Sequence, residues 1–227
     1  MKQILNNLLA LIVPDVCVQC GKTLMPGERT LCLTCQSKLP RVRGGGSENA
    51  AEDRLLGKFH FEHGTSFCYY RKGGDFAHLI TSAKYHNRPW VNKHLANIFA
   101  TELSEAGWPF DIDVIVPVPV HQLRLLMRGY NQTLPIAEAL SDAWNLPIDS
   151  KSLRKNTYTK SQVGQSLLQR LDRIDGTFRL KNQDRFWGCH VLLVDDVLTS
   201  GATIDACAQL FVEAGARVSF LTLGLSD

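Results

Sequence analysis

The sequence predicts an α/β protein in which helices flank a parallel β-sheet and a small cysteine-rich module comes first. Two apolar runs, Ile112–Val118 and Val191–Val194, have the length and β-branched content of strands buried on both faces, as in a parallel sheet. A helix-like run and a third apolar stretch, Val218–Leu223, follow the second run. Because strand, helix, strand crossovers join parallel strands, these segments predict one sheet.

The composition is that of a globular protein. Of the 227 residues, 44% are hydrophobic and 21% are charged, which excludes disordered and fibrous classes. This length accommodates one α/β domain with a small appendage. The net charge of +3 is too small to indicate nucleic-acid binding by itself, but it is unevenly placed: residues 1–43 carry six Lys or Arg and two Asp or Glu.

The first segment, residues 2–13, places aliphatic side chains on one helical face and predicts a short helix packed on the neighbouring module. A helix that binds a membrane surface or a partner is the alternative, with Lys2 as its only cation. The apolar stretch is too short to span a bilayer, and Pro14-Asp15 follows it rather than a small-residue cleavage site. We therefore expect no membrane span.

Two CxxC pairs follow, and their thiols are candidate metal ligands. Eleven residues with turn-forming glycines separate Cys17 and Cys20 from Cys32 and Cys35. Two such knuckles supply the four thiolates of a tetrahedral Zn²⁺ site. A redox pair, or a module that has lost its metal, is the alternative. The seven cysteines are an odd number without a disulfide-rich composition, so we expect a reducing, cytoplasmic location.

The composition changes sharply after the cysteine pairs. The run Gly44–Ser47 has the chemistry of a linker, and we expect the linker to cover residues 44–58. The predicted domains are residues 1–43, with the N-terminal helix and a zinc ribbon, and residues 59–227, with the α/β fold. In the second domain, residues 59–70 indicate strands and residues 76–103 indicate helix.

The strand at Ile112–Val118 ends in Pro117-Val118-Pro119, where the chain leaves the sheet because proline cannot continue a central ladder. Arg124 and Arg128 follow. Guanidinium groups pair bidentately with phosphate oxygens, so this constrained loop with two arginines suits a pyrophosphate. Arginines on an ordinary solvated helix are the alternative. Next come a predicted helix, Thr133–Trp144, and a polar loop, Lys151–Arg173.

Two acids and a loop of small residues follow the apolar run Val191–Val194. Neighbouring side chains on a strand point to opposite faces, so we expect the strand to stop where Asp195 and Asp196 would serve one ligand. The next residues are small and rich in hydroxyls: Thr199, Ser200, Gly201, Ala202 and Thr203. At a helix N-terminus such a loop directs N–H groups and hydroxyls at a phosphate. The stretch therefore suits a ribose 5-phosphate, with aspartates that merely cap the next helix as the alternative.

These residues carry a resemblance to a known family. The run from Val191 to Thr203, VLLVDDVLTSGAT, resembles the phosphoribosyl pyrophosphate (PRPP) signature of type I phosphoribosyltransferases. Val-Pro-Val-Pro at 116–119, with Arg-Gly-Tyr-Asn-Gln at 128–132, closely resembles the hallmark of the ComF/GntX subgroup. The resemblance covers essentially the whole chain.

The resemblance implies a type I phosphoribosyltransferase fold and a role for each candidate residue. Asp195 and Asp196 would hold the ribose hydroxyls, directly or through Mg²⁺, and the small-residue loop would hold the 5-phosphate. Pro117, Val118 and Pro119 would belong to a pyrophosphate loop with Arg124 and Arg128 at its rim. A loop with Lys160 would close over PRPP, although Arg173 stands where relatives often have asparagine.

The implied activity is Mg²⁺-dependent transfer of phosphoribosyl from PRPP with release of pyrophosphate, linked to competence and DNA uptake. The implied partners are PRPP, single-stranded DNA and DNA-uptake or helicase proteins, but no segment identifies an acceptor. A rival interpretation is a non-catalytic protein that keeps the PRPP fold and binds single-stranded DNA during transformation, helped by the basic zinc module. A purely structural zinc adaptor leaves the acids and the small-residue loop unexplained.

Overall fold

A four-stranded parallel sheet forms the centre of the computed structural model, which describes residues 15–42, 49–80, 88–108, 111–120, 125–127, 129–155 and 178–226. In chain order the strands are β1 Gly64–Tyr70, β2 Val114–Pro117, β3 Leu153–Lys155, β4 Phe178–Leu180, β5 His190–Leu198 and β6 Arg217–Ser226. The helices are α1 Leu33–Ser37, α2 Ala50–Asp53, α3 Pro89–Glu105, α4 Leu134–Trp144 and α5 Ala202–Glu213. The central sheet has the order β1-β6-β5-β2, and β3 pairs antiparallel with β4.

Both faces of the central sheet are covered. Leu192 and Val194 belong to one apolar cluster, with residues of α3 and α4, whereas Val191 and Leu193 belong to a second cluster with α5. All four side chains are fully buried, and burying each such side chain contributes about 1.5–3 kcal/mol. The predicted α/β class, a parallel sheet flanked by helices with an N-terminal four-cysteine module, is confirmed.

The end of strand β5 differs from the prediction. The strand does not stop at the acidic pair but continues to Leu198. Asp195 lies opposite Thr222 and Val197 opposite Gly224 of the neighbouring strand β6, which is itself long enough to keep pairing beyond the acids. The expectation that the chain turns at Asp195 is therefore wrong.

Part of the segment assigned to the linker is ordered on the sheet domain. Asn49 caps α2 by accepting from the N–H groups of Ala51 and Glu52, and the side chains of Ala51 and Leu55 are fully buried. Glu52 also accepts from the N–H of Gly64 at 2.8 Å, at the start of β1. Residues 49–58 thus depart from the linker assignment because they supply apolar side chains to the core. Residues 43–48, like the predicted helix at 2–13, lie outside the described residues.

The cysteine module packs against the same core as α3. Its buried residues Leu31 and Leu39 share an apolar cluster with Phe67 of β1 and with the inner face of α3. Arg41 lies 4.4 Å above the Phe67 ring and pairs with Glu102 of α3 at 2.7 Å. The described part of the module is therefore held on the sheet domain by both apolar and charged contacts.

Candidate functional site

The two acids of β5 have different surroundings. Asp196 is 4% exposed, and its Oδ2 accepts a hydrogen bond from Nε2 of Gln132 at 2.7 Å. Asp195 is partly exposed, and its Oδ1 accepts from the N–H of Asp196 at 2.8 Å. Burial raises the pKa of Cys207 on α5, and the nearby Asp195 carboxylate raises it further. Asp195 thus lies on the α5 side of the strand and Asp196 next to the start of α4.

The loop of small residues leads into α5 as predicted. Thr199, Ser200, Ala202 and Thr203 are exposed, whereas Gly201 is buried with a φ of +80°. A Cβ atom at Gly201 would lie 2.3 Å from Cδ2 of Leu55, so only glycine fits here. The first N–H groups of a helix have no partners within the helix, and they carry its positive dipole end. The exposed hydroxyls and these N–H groups form a surface suited to an anion.

Two cations of the segment after α2 hold this loop. Arg54 donates to the carbonyl oxygen of Thr199 at 2.6 Å and to that of Ser226 at 2.8 Å, and Lys58 donates to the carbonyl of Ser200. Their charges therefore lie beside the candidate phosphate site. Neither cation was expected there, because both lie in the segment assigned to the linker. The sequence signal was the capping pattern Asn49-x-x-Glu52, which predicts a helix start.

The loop after β2 meets the acidic pair at the same edge of the sheet. β2 ends at Pro117 as expected, and the N–H of Val118 donates to the carbonyl of Val194 at 2.9 Å. The carbonyl of Val118 accepts from the hydroxyl of Thr133 at 2.9 Å, which fixes the loop to the start of α4. Pro119 follows in partly buried, irregular backbone. Arg124 and Arg128 lie outside the described residues.

Gln132 is a further site residue that the sequence did not identify as one. It is 5% exposed and precedes α4, and its side chain donates to Asp196 at 2.7 Å, which links the start of α4 to β5. Its place in the Arg-Gly-Tyr-Asn-Gln run was the available signal. The two acids, the loop of small residues and the loop after β2 therefore lie together at the carboxyl ends of β5 and β2, where open α/β sheets bind ligands.

The four cysteines of the two CxxC pairs converge on one point. Their sulfur atoms all lie within 4.8 Å of one another, and Sγ of Cys20 and Sγ of Cys32 are 3.8 Å apart. Zn–S bonds of about 2.3 Å place the sulfurs of a regular tetrahedron about 3.8 Å apart, so the spacing fits this metal. Cys20 is exposed and the other three are buried. The cluster is therefore able to hold a metal ion.

Hydrogen bonds within the cluster favour a thiolate. Burial raises the pKa of Cys17, but hydrogen bonds from the N–H groups of Cys32, Cys20 and Gln19 outweigh this effect and lower it to about 7. The N–H of Cys32 lies 3.3 Å from Sγ of Cys17. Burial and the neighbouring thiols raise the pKa of Cys35. Metal binding requires deprotonated thiols, and the lowered pKa of Cys17 favours that form.

Solved structures similar to this chain include phosphoribosyltransferases. The glutamine PRPP amidotransferase from B. subtilis is 20% identical with a TM-score of 0.41, and the similarity covers 63% of this chain and 30% of that one. An adenine phosphoribosyltransferase is 18% identical with a TM-score of 0.38, covering 60% and 71% of the two chains. No conclusion about the site rests on these two structures, because both TM-scores are below 0.5. No protein-family model matches the chain.

The curated relatives are named competence proteins and DNA utilization proteins. Competence protein F of Haemophilus influenzae is 28% identical over 141 residues, which cover 60% of this chain and 62% of the relative. DNA utilization protein YhgH of Escherichia coli is 30% identical over 61% of each protein. Competence protein ComFC of Bacillus subtilis is 32% identical over 57% of this chain and 52% of the relative. The chain thus matches less than two thirds of each, and the predicted resemblance to ComF-type proteins is confirmed.

One further finding concerns membranes. Within the described ranges, no helix combines the length and the apolar character needed to cross a bilayer.

Proposed function

We propose that this chain binds PRPP with Mg²⁺ and transfers its phosphoribosyl group with release of pyrophosphate, as a phosphoribosyltransferase-like protein of the ComF/GntX type. One observation supports the proposal most directly: the acidic pair, the loop of small residues before α5 and the loop after β2 meet at the carboxyl ends of the strands. An anion site beside two carboxylates is what a phosphorylated sugar requires. The curated ComF-type relatives support the same assignment.

Each part of the site has a role in this proposal. Residues 199–203 bind the 5-phosphate through hydroxyls and N–H groups, and Arg54 and Lys58 hold the loop and add positive charge. Asp195 and Asp196 accept hydrogen bonds from the ribose hydroxyls, and Gln132 fixes the orientation of Asp196. The β2 loop binds the pyrophosphate, and Arg124 and Arg128, which follow it in the sequence, pair with phosphate oxygens.

The reaction breaks the bond between C1 of the ribose and the pyrophosphate oxygen. The electron pair leaves with pyrophosphate, and a nucleophilic acceptor forms the new bond to C1. Positive charge develops on the ribose and negative charge on the leaving group, so fixed carboxylates and cations stabilise the transition state. Carboxylates suit Mg²⁺, which when bound would neutralise part of the leaving-group charge.

The four cysteines are proposed to hold a structural Zn²⁺. The fit of the 3.8 Å sulfur separation to a tetrahedral site supports zinc. Leu31 and Leu39 join the core of the sheet domain, so zinc would also secure this docking. Residues 1–43 and 59–227 remain our proposed domains.

The biological setting is proposed from the relatives' names, competence protein and DNA utilization protein. We place the chain in the cytoplasm, in DNA uptake, together with DNA-uptake or helicase proteins. The same names favour a second candidate function, a non-catalytic protein that binds single-stranded DNA in transformation. In the cysteine module Lys22, Arg29 and Lys38 would serve this role, since Arg41 is paired with Glu102.

Pyrophosphate release separates the two candidates. With Mg–PRPP and a panel of amine, purine and pyrimidine acceptors, the wild type should release pyrophosphate, and chelation of Mg²⁺ should abolish the release. Asp196→Asn should lose most of this activity. Asp142→Asn, which changes an exposed carboxylate on α4, is the matched control and should retain it. Release absent with every acceptor, together with tight, salt-sensitive DNA binding, would favour the second candidate.

A further inference from the structure

A second groove lies at the opposite edge of the sheet from the candidate phosphate site. Its volume is about 650 Å³, and it is lined by the residues before β2 and β5 and by the start of the β3–β4 ribbon. Asp113 and Cys189 at its wall precede their strands, whereas Asp196 lies near the end of β5. Strand residues rise about 3.3 Å each, so the two sites are roughly 20 Å apart.

The lining of this groove carries a net positive charge, with four Lys or Arg against Asp113 and Asp149. Residues 149–155 and 178–189 contain six Lys or Arg against two Asp. Four of the cations line the groove: Lys151, Arg154, Lys181 and Arg185. All four are exposed, and the nearest ion pair that the structure describes for them is the 3.8 Å contact between Arg185 and Asp149. The groove therefore presents cations to solvent with little internal compensation.

The two acids that line the groove accept hydrogen bonds from other groups of the protein. Asp149 accepts from the N–H groups of Lys151 and Ser152 at 2.9 and 2.8 Å, and from the Ser152 hydroxyl at 2.7 Å. Burial raises the pKa of Asp149, but these bonds outweigh it and hold the pKa below its usual value. Asp113 accepts from the N–H of His190 at 2.7 Å. Asp149 therefore offsets part of the charge of Arg185, and among the described residues no ion pair joins either acid to Lys151, Arg154 or Lys181.

Two arginines face each other on the β3–β4 ribbon. Arg154 and Arg179 are direct cross-strand partners, and both are exposed. Like charges in this position destabilise a sheet, so the pair has a cost for folding. An anionic ligand that lies across both side chains would remove that cost.

An exposed aromatic residue follows the groove cations in the chain. Trp187 is 79% exposed, and it directly follows the groove residues Arg185 and Phe186. A Cβ atom at Gly215 would lie 2.5 Å from the Trp187 ring, so the glycine leaves room for the indole at this position. An exposed indole close in sequence to these cations offers a stacking surface for an unpaired base.

We propose that this groove binds single-stranded nucleic acid, with Lys181, Arg185 and the arginine pair on phosphates and Trp187 stacked on a base. The surface differs from the cysteine module and from the PRPP site, and the inference does not depend on PRPP binding. A single strand is favoured over a duplex because bases in a duplex are not available for stacking on Trp187.

The test uses the full chain and a fluorescein-labelled 20-mer of thymidylate, with anisotropy measured over a range of salt concentrations. Lys181→Glu/Arg185→Glu should weaken binding at least about tenfold and lower the salt slope by about 1.4, since each phosphate contact on a single strand contributes about 0.7. Trp187→Ala should weaken binding about fivefold to a hundredfold and leave the salt slope unchanged. Lys22→Glu/Lys38→Glu makes the same charge change on the cysteine module and tests that module as the rival DNA surface. Lys72→Glu/Arg88→Glu, at exposed cations outside both surfaces, is the matched control and should bind like wild type.

Arg179→Glu gives a second, independent readout. It should weaken binding, yet raise the melting temperature, because an acid opposite Arg154 replaces repulsion by attraction. If Arg179 had only a structural role, nucleic-acid affinity would not fall while the melting temperature rises. Mg–PRPP titrations should give wild-type affinity for every groove variant, so loss of one function is distinguishable from loss of the other.

Three results would overturn the proposal. The first is wild-type affinity in the groove variants together with loss of affinity in Lys22→Glu/Lys38→Glu, which would place the site on the cysteine module. The second is a thymidylate–adenylate duplex that binds as tightly as the single strand. The third is competition by thymidine monophosphate at equal nucleotide concentration, which would indicate a small-ligand pocket instead.

Discussion

Gly201 lies where the loop of small residues packs against the segment after α2. It has a φ of +80°, and the side chain of Leu55 occupies the space where a Cβ atom would lie. Gly73 has the same φ of +80° but no atom within 4 Å of that position, which makes it a matched control. The first glycine is thus needed for close packing as well as for backbone conformation.

We expect Gly201→Ala to lower the free energy of unfolding by about 2–4 kcal/mol, the sum of a left-handed backbone and an overpacked contact. Gly73→Ala should lose only about 1–2 kcal/mol, the backbone term. Urea denaturation of both variants measures the difference. Equal losses would show that Leu55 moves aside without cost. In a Leu55→Ala background, Gly201→Ala should cost less than it does in the wild type, because the overpacked contact is already gone.

At the scale of elements, strands and helices with clear periodicity were predicted well. The buried strand at Val191–Val194, the helix over Thr133–Trp144 and the glycine that ends α5 follow directly from apolar pattern and turn chemistry. The predicted end of β5 was wrong because the length of a strand depends on its pairing partner, here β6, which the local sequence does not contain. Helix α2 was missed because glycine-rich composition nearby masked a short capping pattern.

The cysteine cluster gives a prediction for one element. Protein purified without added metal should contain one Zn²⁺ per chain, because the four sulfurs lie within 4.8 Å of one another and one pair has the 3.8 Å separation of a tetrahedral site. Cys17→Ser should lose the metal and destabilise the docking of Leu31 and Leu39. Cys189→Ser, outside the cluster, is the control and should keep it. Elemental analysis of the three proteins decides, and a folded wild type without zinc would contradict the assignment.

At the scale of the whole molecule, the two edges of one sheet carry different chemistry. The carboxyl edge combines acids with an anion-binding loop, and the amino edge carries a cationic groove. The acids and the loop were predictable because the motif is continuous in sequence. Arg54, Lys58 and the groove were not, since they come from segments far apart in the chain that only the fold brings together.

Calorimetric titration with Mg–PRPP tests the central proposal most directly. The wild type should bind one PRPP per chain, and Asp196→Asn should bind roughly ten- to a hundredfold more weakly, because hydrogen bonds to a charged group contribute about 1.5–3 kcal/mol. Its amide oxygen still accepts from Gln132, so the variant should remain folded in a thermal melt. Asp142→Asn should bind like wild type. A folded wild type that shows no heat of binding with Mg–PRPP would contradict the proposal that this sheet edge is a phosphoribosyl site.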